Sequence, residues 1–414
     1  MTALRTQARV LRHRDFRLLW VGQSFSVLGD GVVVVALALF VTDLTGDASD
    51  LGLVLAAFTL PLVVFMVVGG VWADRLPRQR VVVATDLIRF SLHAVLALLI
   101  VTDEVRIWHV VVIEALFGTA EAFFRPAVTA LVPETVPEPE IQEANALMTF
   151  SNNVAEFAGP ALATALVLGV GAGTAFALDA ATFLVSAALI IRVRPRRRQA
   201  GEPAARASWW REVRDGFDEV RSSAWVWVTL AAFSLALFFA LAPWFVLGPV
   251  VAEEQYGDVA IYGLASAALG LGTIAGSIAA IRWRPRYPMR LGMILVCGWP
   301  LAGIMYAAGL PLALVVAATA LSGAGIAIFD VWWLTALAER VPPEKLSRVT
   351  SYDWMFSAGL VPFGYLLAGP LAEQFGAIEV LVVGSILGFV ALVSALASRE
   401  LRMLPRLERQ PTLP

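Results

Sequence analysis

The stretch VLAAFTLPLVVFMVVGGVWADRLPRQR, residues 54–80, contains the change in character that decides the fold. Its first twenty residues, up to Ala73, carry no charge. Four charged residues follow within the next seven positions: Asp74, Arg75, Arg78 and Arg80. An α-helix needs about 20 apolar residues to cross the hydrocarbon core of a bilayer. The stretch therefore predicts a membrane-spanning helix that leaves the bilayer at Asp74.

The composition extends this interpretation to the whole chain. Apolar residues make up 59% of the 414 positions and charged residues 15%, whereas soluble domains have about 25% charged residues. Apolar runs of about 20 residues recur throughout, which indicates a polytopic membrane protein. Neither a phosphate-binding loop nor an H-E-x-x-H motif occurs, and the three histidines lie far apart in the sequence. We therefore expect no enzyme activity, cofactor, metal or nucleic acid.

Twelve apolar runs predict an all-α membrane protein with twelve transmembrane helices. Their expected starts are Leu18, Leu51, Val81, Ile107, Ala144, Thr174, Ala224, Ala260, Met289, Leu312, Ser347 and Ile378. Most of the 31 basic residues lie in the connections after even-numbered helices, whereas the other connections are mainly acidic. By the positive-inside rule, both termini are expected to face the cytoplasm.

The longest polar stretch, residues 192–223, divides six predicted helices from six. We expect an N-terminal half at 1–191, a cytoplasmic linker at 192–223, and a C-terminal half with a cytoplasmic tail at 224–414. In the linker, WWREVRDGFDEVRSS predicts a short amphipathic helix on the membrane surface, with a solvated linker as the alternative. Pairs of equal residues at an offset of 211, such as Trp72 and Trp283, indicate an internal duplication. Such repeats are typical of secondary transporters.

The predicted loop between helices two and three carries the pattern G-x-x-x-D-R-x-x-R. Its members are Gly70, Asp74, Arg75 and Arg78. With twelve helices and a long central loop, the chain resembles the major facilitator superfamily. The phrases GQSFSVLGD at 22–30 and FFRPA at 123–127 are similar to the branch with the enterobactin exporter and the macrolide efflux proteins.

The resemblance implies the major facilitator fold in a bacterial cytoplasmic membrane, and export of a bulky amphipathic compound (drug, macrolide or siderophore type) by proton antiport. We expect a monomer. The chain departs from drug antiporters in having Glu114 where they often carry arginine. The glycine-rich motif of helix five is reduced to Gly159 and Pro160. A solute importer or symporter on the same fold, and a membrane sensor that transports nothing, remain alternatives.

Several ionisable residues interrupt the apolar runs of the N-terminal half. A charge at the bilayer centre costs at least about 2.5–3.5 kcal/mol, so each should face a cavity or a partner. A carboxylate there can take up and release protons, and Asp30 is the first candidate because Gly29 and Gly31 flank it. A purely structural pairing is the alternative. The candidates for proton coupling or substrate contact are Asp30, Glu114, Glu121, Arg125, Glu156 and Asp179.

A second predicted site is a charge network that closes the cytoplasmic side. Asp74 is its decisive member, because an acid there opposes the local excess of positive charge, and because the duplicated position is Pro285. For the arginines, the alternative is simple compliance with the positive-inside rule. The predicted gate consists of Gly70, Asp74, Arg75, Arg78, Asp86 and Arg89.

Aromatic residues are numerous, with 13 Trp and 23 Phe. Some are expected to line a cavity for an aromatic or amphipathic substrate, although aromatics at helix ends commonly anchor the helix at the membrane interface. The candidates for cavity lining are Trp244, Phe245, Trp332, Trp333, Trp354 and Phe356.

Overall fold

A computed structural model describes residues 10–196, 220–283, 285–341, 349, 353, 355–357 and 359–405. The side chains at 67–75, 138, 142, 146, 153, 156, 157, 161, 281 and 338 are not among the described parts. The predicted amphipathic helix of the linker and the predicted start of the eleventh helix at Ser347 also lie outside the described residues.

The N-terminal half is built from long helices joined by short connections. Its helices are α1 (Arg14–Thr45), α2 (Ala48–Arg75), α3 (Arg78–Val101), α4 (Ile107–Leu131), α5 (Ile141–Val170) and α6 (Ala172–Ile190). Helix α1 ends at Gly46, which has a φ of 68° and whose N–H bonds to the carbonyl of Thr42, a left-handed termination that favours glycine. Most of these helices begin two to four residues before the predicted starts, because polar or small residues form their first turn.

The C-terminal half continues the all-helical pattern. Its helices are α7 (Ala224–Tyr256), α8 (Ala260–Arg282), α9 (Pro288–Ala307), α10 (Leu312–Arg340), α11 (Val361–Phe375), α12 (Ala377–Ala395) and the short α13 (Arg399–Arg402). Helix α7 contains a π-helical turn at Leu237–Leu241, which the sequence pattern did not predict. Helix α9 consists of two α-helical segments that meet at Cys297.

Among the described residues, eleven helices have the length and composition needed to cross a membrane, and none of the described chain forms a strand. Helix α5 contributes only a shorter apolar segment, Ala158–Val170. Its first half, from Ile141, is more polar and includes Glu143, Asn145 and Asn152. The described part of the chain is therefore all-α, with many candidate membrane spans.

The helices form two compact units. The first contains Met1–Ala200, Gly257–Ala267 and Tyr365–Pro370, and the second contains the remainder. In the first unit, α2 packs against α4, α1 packs against α5 and α6, and α3 packs against α4 and α6. In the second unit, α10 packs along α9, and α12 packs on α7 and α9.

Glycines permit the closest helix contacts in the first unit. A Cβ atom on Gly118 of α4 would collide with the backbone carbonyl of Phe58 in α2. A Cβ atom on Gly159 of α5 would collide with the backbone of Gly31 in α1. Small residues allow helix backbones to approach in this way inside a membrane, where packing replaces the hydrophobic effect as a source of helix association. These contacts hold α1, α2, α4 and α5 at fixed separations.

Candidate functional site

A buried arginine on α3 is bonded to acids from two helices. Arg89 is fully buried, and its Nη1 atom lies 2.9 Å from Oε2 of Glu121 on α4. Its Nη2 atom donates to Oδ1 of Asp86 on the same helix, and Nη1 lies 3.9 Å from Oδ2 of Asp30 on α1. A charge this deep is tolerated only when it is paired. We call Asp30, Asp86, Arg89, Glu121 and Arg125 the Arg89 cluster.

Further polar contacts join the cluster to α6. The hydroxyl of Ser186 donates to Oδ2 of Asp86 at 2.7 Å, and the side-chain amide of Gln23 donates to that hydroxyl at 3.1 Å. Gln23 lies on α1, so a chain of hydrogen bonds runs from α1 through α6 to α3. Asp86 thus accepts bonds on both of its oxygens, which holds its carboxylate in a fixed orientation.

Two members of the cluster reach its surface. Nε of Arg125 donates to Oε1 of Glu121 at 2.8 Å, and the Arg125 side chain is 45% exposed. The Asp30 side chain is 32% exposed, whereas those of Arg89 and Asp86 are not exposed. Glu121 therefore connects a buried guanidinium with an exposed one. Asp30 has the most exposed side chain of the three acids in the cluster.

A second set of ionisable groups lies one helical turn further along α3. Nδ1 of His93 is 2.5 Å from Oδ2 of Asp179 on α6, and Nε2 is 3.6 Å from Oε1 of Glu114 on α4. All three residues are buried. We call His93, Asp179 and Glu114 the His93 triad.

Aromatic rings lie against the cluster and the triad, and two of them, Phe117 and Phe183, contact both Arg89 and His93. The Phe183 ring lies 4.4 Å from the Arg89 guanidinium carbon and 6.0 Å from the His93 ring. The Phe117 ring stacks on His93 at 4.2 Å, and Phe124 lies 3.6 Å from the guanidinium carbon. The face of an aromatic ring attracts a cation, so these rings help to compensate for the lost hydration of Arg89.

The two glycines beside Asp30 place α1 against two neighbours. A Cβ atom on Gly29 would collide with Oδ1 of Asp179 and would lie 2.6 Å from the hydroxyl of Thr182, both on α6. A Cβ atom on Gly31 would lie 2.6 Å from the carbonyl of Ala155 on α5. Asp30 therefore lies between two close helix contacts, and its distance to Arg89 depends on the position of α1 relative to α3.

A family model described as transmembrane secretion effector matches residues 6–412. The chain belongs to the major facilitator superfamily. Macrolide efflux protein A of Streptococcus pyogenes is 22% identical over 87% of this chain and 90% of that protein. The multidrug efflux pump Tap of Mycolicibacterium fortuitum is 26% identical over 84% of this chain and 87% of that protein.

A solved structure extends the comparison to the fold. The crystal structure of a mutant of the nucleoside transporter NupG has a TM-score of 0.73 and 14% sequence identity. The match covers 92% of this chain and 99% of that one. At this identity the likeness concerns the fold alone. The chain is thus a membrane transporter of the major facilitator superfamily, with efflux proteins among its relatives.

Five of the six candidates for proton coupling or substrate contact lie in the two sets described above. The structure brings Asp30, Glu121 and Arg125 together around Arg89, and it brings Glu114 and Asp179 together around His93. The side chain of Glu156 lies outside the described parts. Gly159, from the helix-five motif, contacts Gly31, and Pro160 follows it inside α5.

The predicted gate residues separate into two groups. Asp86 and Arg89 lie inside the bundle, more than two turns into α3, and their contacts belong to the Arg89 cluster. Nη1 of Arg78 donates to the carbonyl of Ala130 at 3.0 Å and lies 2.7 Å from Glu134, so Arg78 ties the start of α3 to the end of α4. The side chains of Gly70, Asp74 and Arg75 lie outside the described parts.

The aromatic candidates belong to the second unit. Trp244, Trp332 and Trp333 are buried, and Phe245 and Phe356 are partly buried. Nε1 of Trp333 donates to Asp353 at 3.1 Å. A cavity of about 200 Å³ has Trp332 in its wall, beside Thr335, Glu339, Arg340 and Pro405. Trp354 lies outside the described residues.

Sequence reasoning missed His93. In the sequence it stands between apolar neighbours, and the metal motifs that would flag it are absent. The available signal was its spacing, because Asp86, Arg89 and His93 stand at positions i, i+3 and i+7 on one helical face. Within the described residues no group of three or more side chains could hold a metal ion.

Proposed function

We propose that this major facilitator protein exports a bulky amphipathic small molecule from the bacterial cytosol by alternating access, in exchange for protons. The proposal includes twelve membrane spans, with both termini in the cytosol. The observation that carries it is the Arg89 cluster, in which one buried guanidinium is shared by three acids. Relatives named for macrolide and multidrug efflux support export of this substrate class.

The balance of charge in the cluster supports proton binding. Asp30, Asp86 and Glu121 supply three carboxylates, whereas Arg89 and the partly exposed Arg125 supply two cations. One carboxylate is therefore left without its own cation in a region of low dielectric. Binding one proton would neutralise that excess.

Asp30 is the acid that we propose to take up this proton. Its side chain is 32% exposed, and its 3.9 Å separation from Arg89 is the longest of the three acid–arginine distances. Asp86 and Glu121 are held by hydrogen bonds at both oxygens. When Asp30 is protonated, it loses its charge attraction to Arg89. Helix α1 is then free to shift against α3, which is the movement that would link the proton to alternating access.

The acids of the first unit also favour a particular charge on the substrate. Glu114 and Asp179 add to the excess of carboxylates in the first unit. This excess favours a cation or a neutral amphiphile over a strong anion, because an anion would meet repulsion along the transport path. The aromatic candidates of the second unit would contribute apolar contacts to such a compound. The loop pattern with Asp74 remains our proposal for the cytoplasmic gate.

The test uses growth and transport together. A bacterial strain that lacks its own drug exporters should tolerate a higher concentration of erythromycin or ethidium when it produces this protein. In proteoliposomes, an imposed pH gradient should drive accumulation of the same probe. Asp30→Asn should remove the effect of the gradient and leave probe binding measurable. Glu104→Gln is the control, because Glu104 is an exposed acid in the connection between α3 and α4.

Different results would contradict proton coupling, the role of Asp30 and the export of the substrate. Transport by the wild type that ignores the gradient would contradict proton coupling. Gradient-driven transport by Asp30→Asn, equal to that of Glu104→Gln, would remove Asp30 from the mechanism. Absence of both resistance and transport, with erythromycin, ethidium and siderophore probes alike, would overturn the export proposal.

A further inference from the structure

The proposed exchange assigns proton binding to the Arg89 cluster and gives His93 no part in it. The triad is more deeply buried than Asp30, and its three groups come from α3, α4 and α6. Burial of three ionisable groups is costly unless each stabilises the others. Their arrangement therefore indicates which protonation state the site is built to hold.

Both ring nitrogens of His93 face a carboxylate oxygen. Nδ1 is within hydrogen-bond distance of Asp179, and Nε2 faces Glu114 at 3.6 Å. A neutral imidazole has one N–H group and one lone pair, so in either tautomer one nitrogen would direct a lone pair at a carboxylate. An imidazolium directs an N–H group at each acid. The geometry thus matches a ring that carries two protons.

The surroundings of the ring also favour a cation. His93 stacks on Phe117 with ring planes 8° apart, and Phe176 meets it edge-on at 5.6 Å. Oδ1 of Asp179 and Oε1 of Glu114 have no hydrogen-bond partner in the described part of the protein. A charged imidazole is the nearest group that can balance these two acids. An aromatic face against the ring adds a favourable cation–π contact.

Charged groups from every helix packed around His93 contribute to the balance of charge at the ring. Helix α4 supplies Glu114 and, further along, Glu121 with Arg125. Helix α6 supplies Asp179, α3 itself supplies Asp86 and Arg89, and α1 supplies Asp30 beside Arg89. Five acids therefore surround two arginines. A proton on His93 reduces this excess of negative charge where the dielectric is lowest.

Helix α1 contacts the triad directly. The backbone of Gly29 lies against Oδ1 of Asp179, where no space remains for a Cβ atom. The next residue, Asp30, lies beside Arg89. Two consecutive residues of α1 thus contact one member of each buried set. A change in the charge or orientation of Asp179 acts on the same helix as protonation of Asp30.

We propose that the His93 triad is a second proton-binding site, in which the imidazole carries the proton between Asp179 and Glu114 and the Gly29 contact relays its occupancy to α1. On binding, a proton from water adds to the ring-nitrogen lone pair of the neutral imidazole. On release, the Nδ1 proton passes to Asp179 and from there to water. The role in transport rests on the proposed antiport, whereas the proton binding does not.

The test measures the protonation of His93 itself. The chain has three histidines, so protein labelled with ¹⁵N-histidine and reconstituted in lipid gives few imidazole signals by solid-state NMR, and His93→Gln assigns one of them. His109 is an internal reference, because it is not part of the triad and its Nδ1 atom accepts the backbone N–H of Arg106 at 3.0 Å. We expect both nitrogens of His93 to be protonated at about pH 7.5, a pH at which free imidazole is mostly neutral.

Two isosteric variants test whether the neighbouring acids keep His93 doubly protonated. Asp179→Asn should convert the His93 signal to that of a neutral ring at the same pH, and Glu114→Gln should have the smaller effect because its distance is longer. A neutral His93 in the wild type would overturn the inference, and so would an unchanged His93 signal in Asp179→Asn. Neither result depends on transport, so a failure of the antiport proposal is distinguishable from a failure of the triad.

A separate variant tests whether the contact of Gly29 with Asp179 couples α1 to the triad. Gly29→Ala places a methyl group against Asp179 and should lower the share of His93 that is doubly protonated, whereas Gly169→Ala, which meets nothing within 4 Å, should leave that share unchanged. If both variants keep the wild-type signal, the contact does not couple α1 to the triad.

Discussion

Replacing Arg89 by glutamine removes the cation that three acids share and should strongly destabilise the first unit. Asp86 and Glu121 are only 0% and 6% exposed, so neither can exchange its lost bond for water. Removing one partner of a buried ion pair costs about 3–5 kcal/mol. At about 2–4 °C per kcal/mol for a domain of 150–250 residues, thermal unfolding should begin at least roughly 6 °C lower.

The assay is thermal unfolding of purified protein in detergent, followed by the loss of the monodisperse peak in size-exclusion chromatography. Arg125→Gln is the matched control, because Arg125 pairs with the same Glu121 but is 45% exposed. Exposed pairs contribute about 0–1 kcal/mol, so this variant should unfold within about 2–4 °C of the wild type. Equal midpoints for the Arg89 and Arg125 variants would refute the reasoning that burial of Arg89 makes it indispensable.

Two further predictions concern packing and pH. Gly118→Ala should lower the free energy of unfolding by about 1–3 kcal/mol in the same assay, because its methyl group meets a backbone carbonyl that cannot move aside. Gly169→Ala is the control, because its methyl group enters open space. Equal unfolding midpoints for the two variants would contradict the close contact of α2 with α4. Burial acts to raise the pKa of Glu140, but the hydrogen bond with His13 and the charge of Arg12 outweigh it and hold this pKa below the ordinary value of 4.5. The stabilisation is therefore present above about pH 4.5 and is lost as the pH falls through the lowered pKa. Glu140→Gln should differ from the wild type at neutral pH and converge with it in acid. A difference that does not shrink as the pH is lowered below 4.5 would contradict this.

The helices were the part of the fold most readily predicted from the sequence. A run of about 20 apolar residues has few alternatives to a membrane-spanning helix, which is why the starts of α4, α7, α8 and α10 agree with the predictions. Helix α5 was predicted as a full span, yet only Ala158–Val170 is uniformly apolar among its described residues. The π-helical turn in α7 depends on local packing, which leaves no periodic signal.

The candidate site was predicted only in part. Intramembrane acids stand out by their cost in lipid, so Asp30, Glu121 and Asp179 could be named from the sequence. Their partners could not, because His93 and Asp179 are 86 positions apart and meet only when α3 packs against α6. Arg89 was assigned to the gate from its nearness in sequence to the loop pattern, whereas helical geometry carries it two to three turns into the bundle.

In the proposed exchange of substrate for protons, substrate binding should release the proton that Asp30 holds, and counting the protons released on substrate binding tests this most directly. Detergent-solubilised protein in weak buffer with a pH indicator is mixed with ethidium or erythromycin, and released protons are counted per protein. Because linked binding is reciprocal, the account predicts release by the wild type and by Glu104→Gln, and release lower by about one proton per molecule in Asp30→Asn. Binding that releases no proton from the wild type at any pH at which the protein stays folded, or equal release from Asp30→Asn, would contradict it.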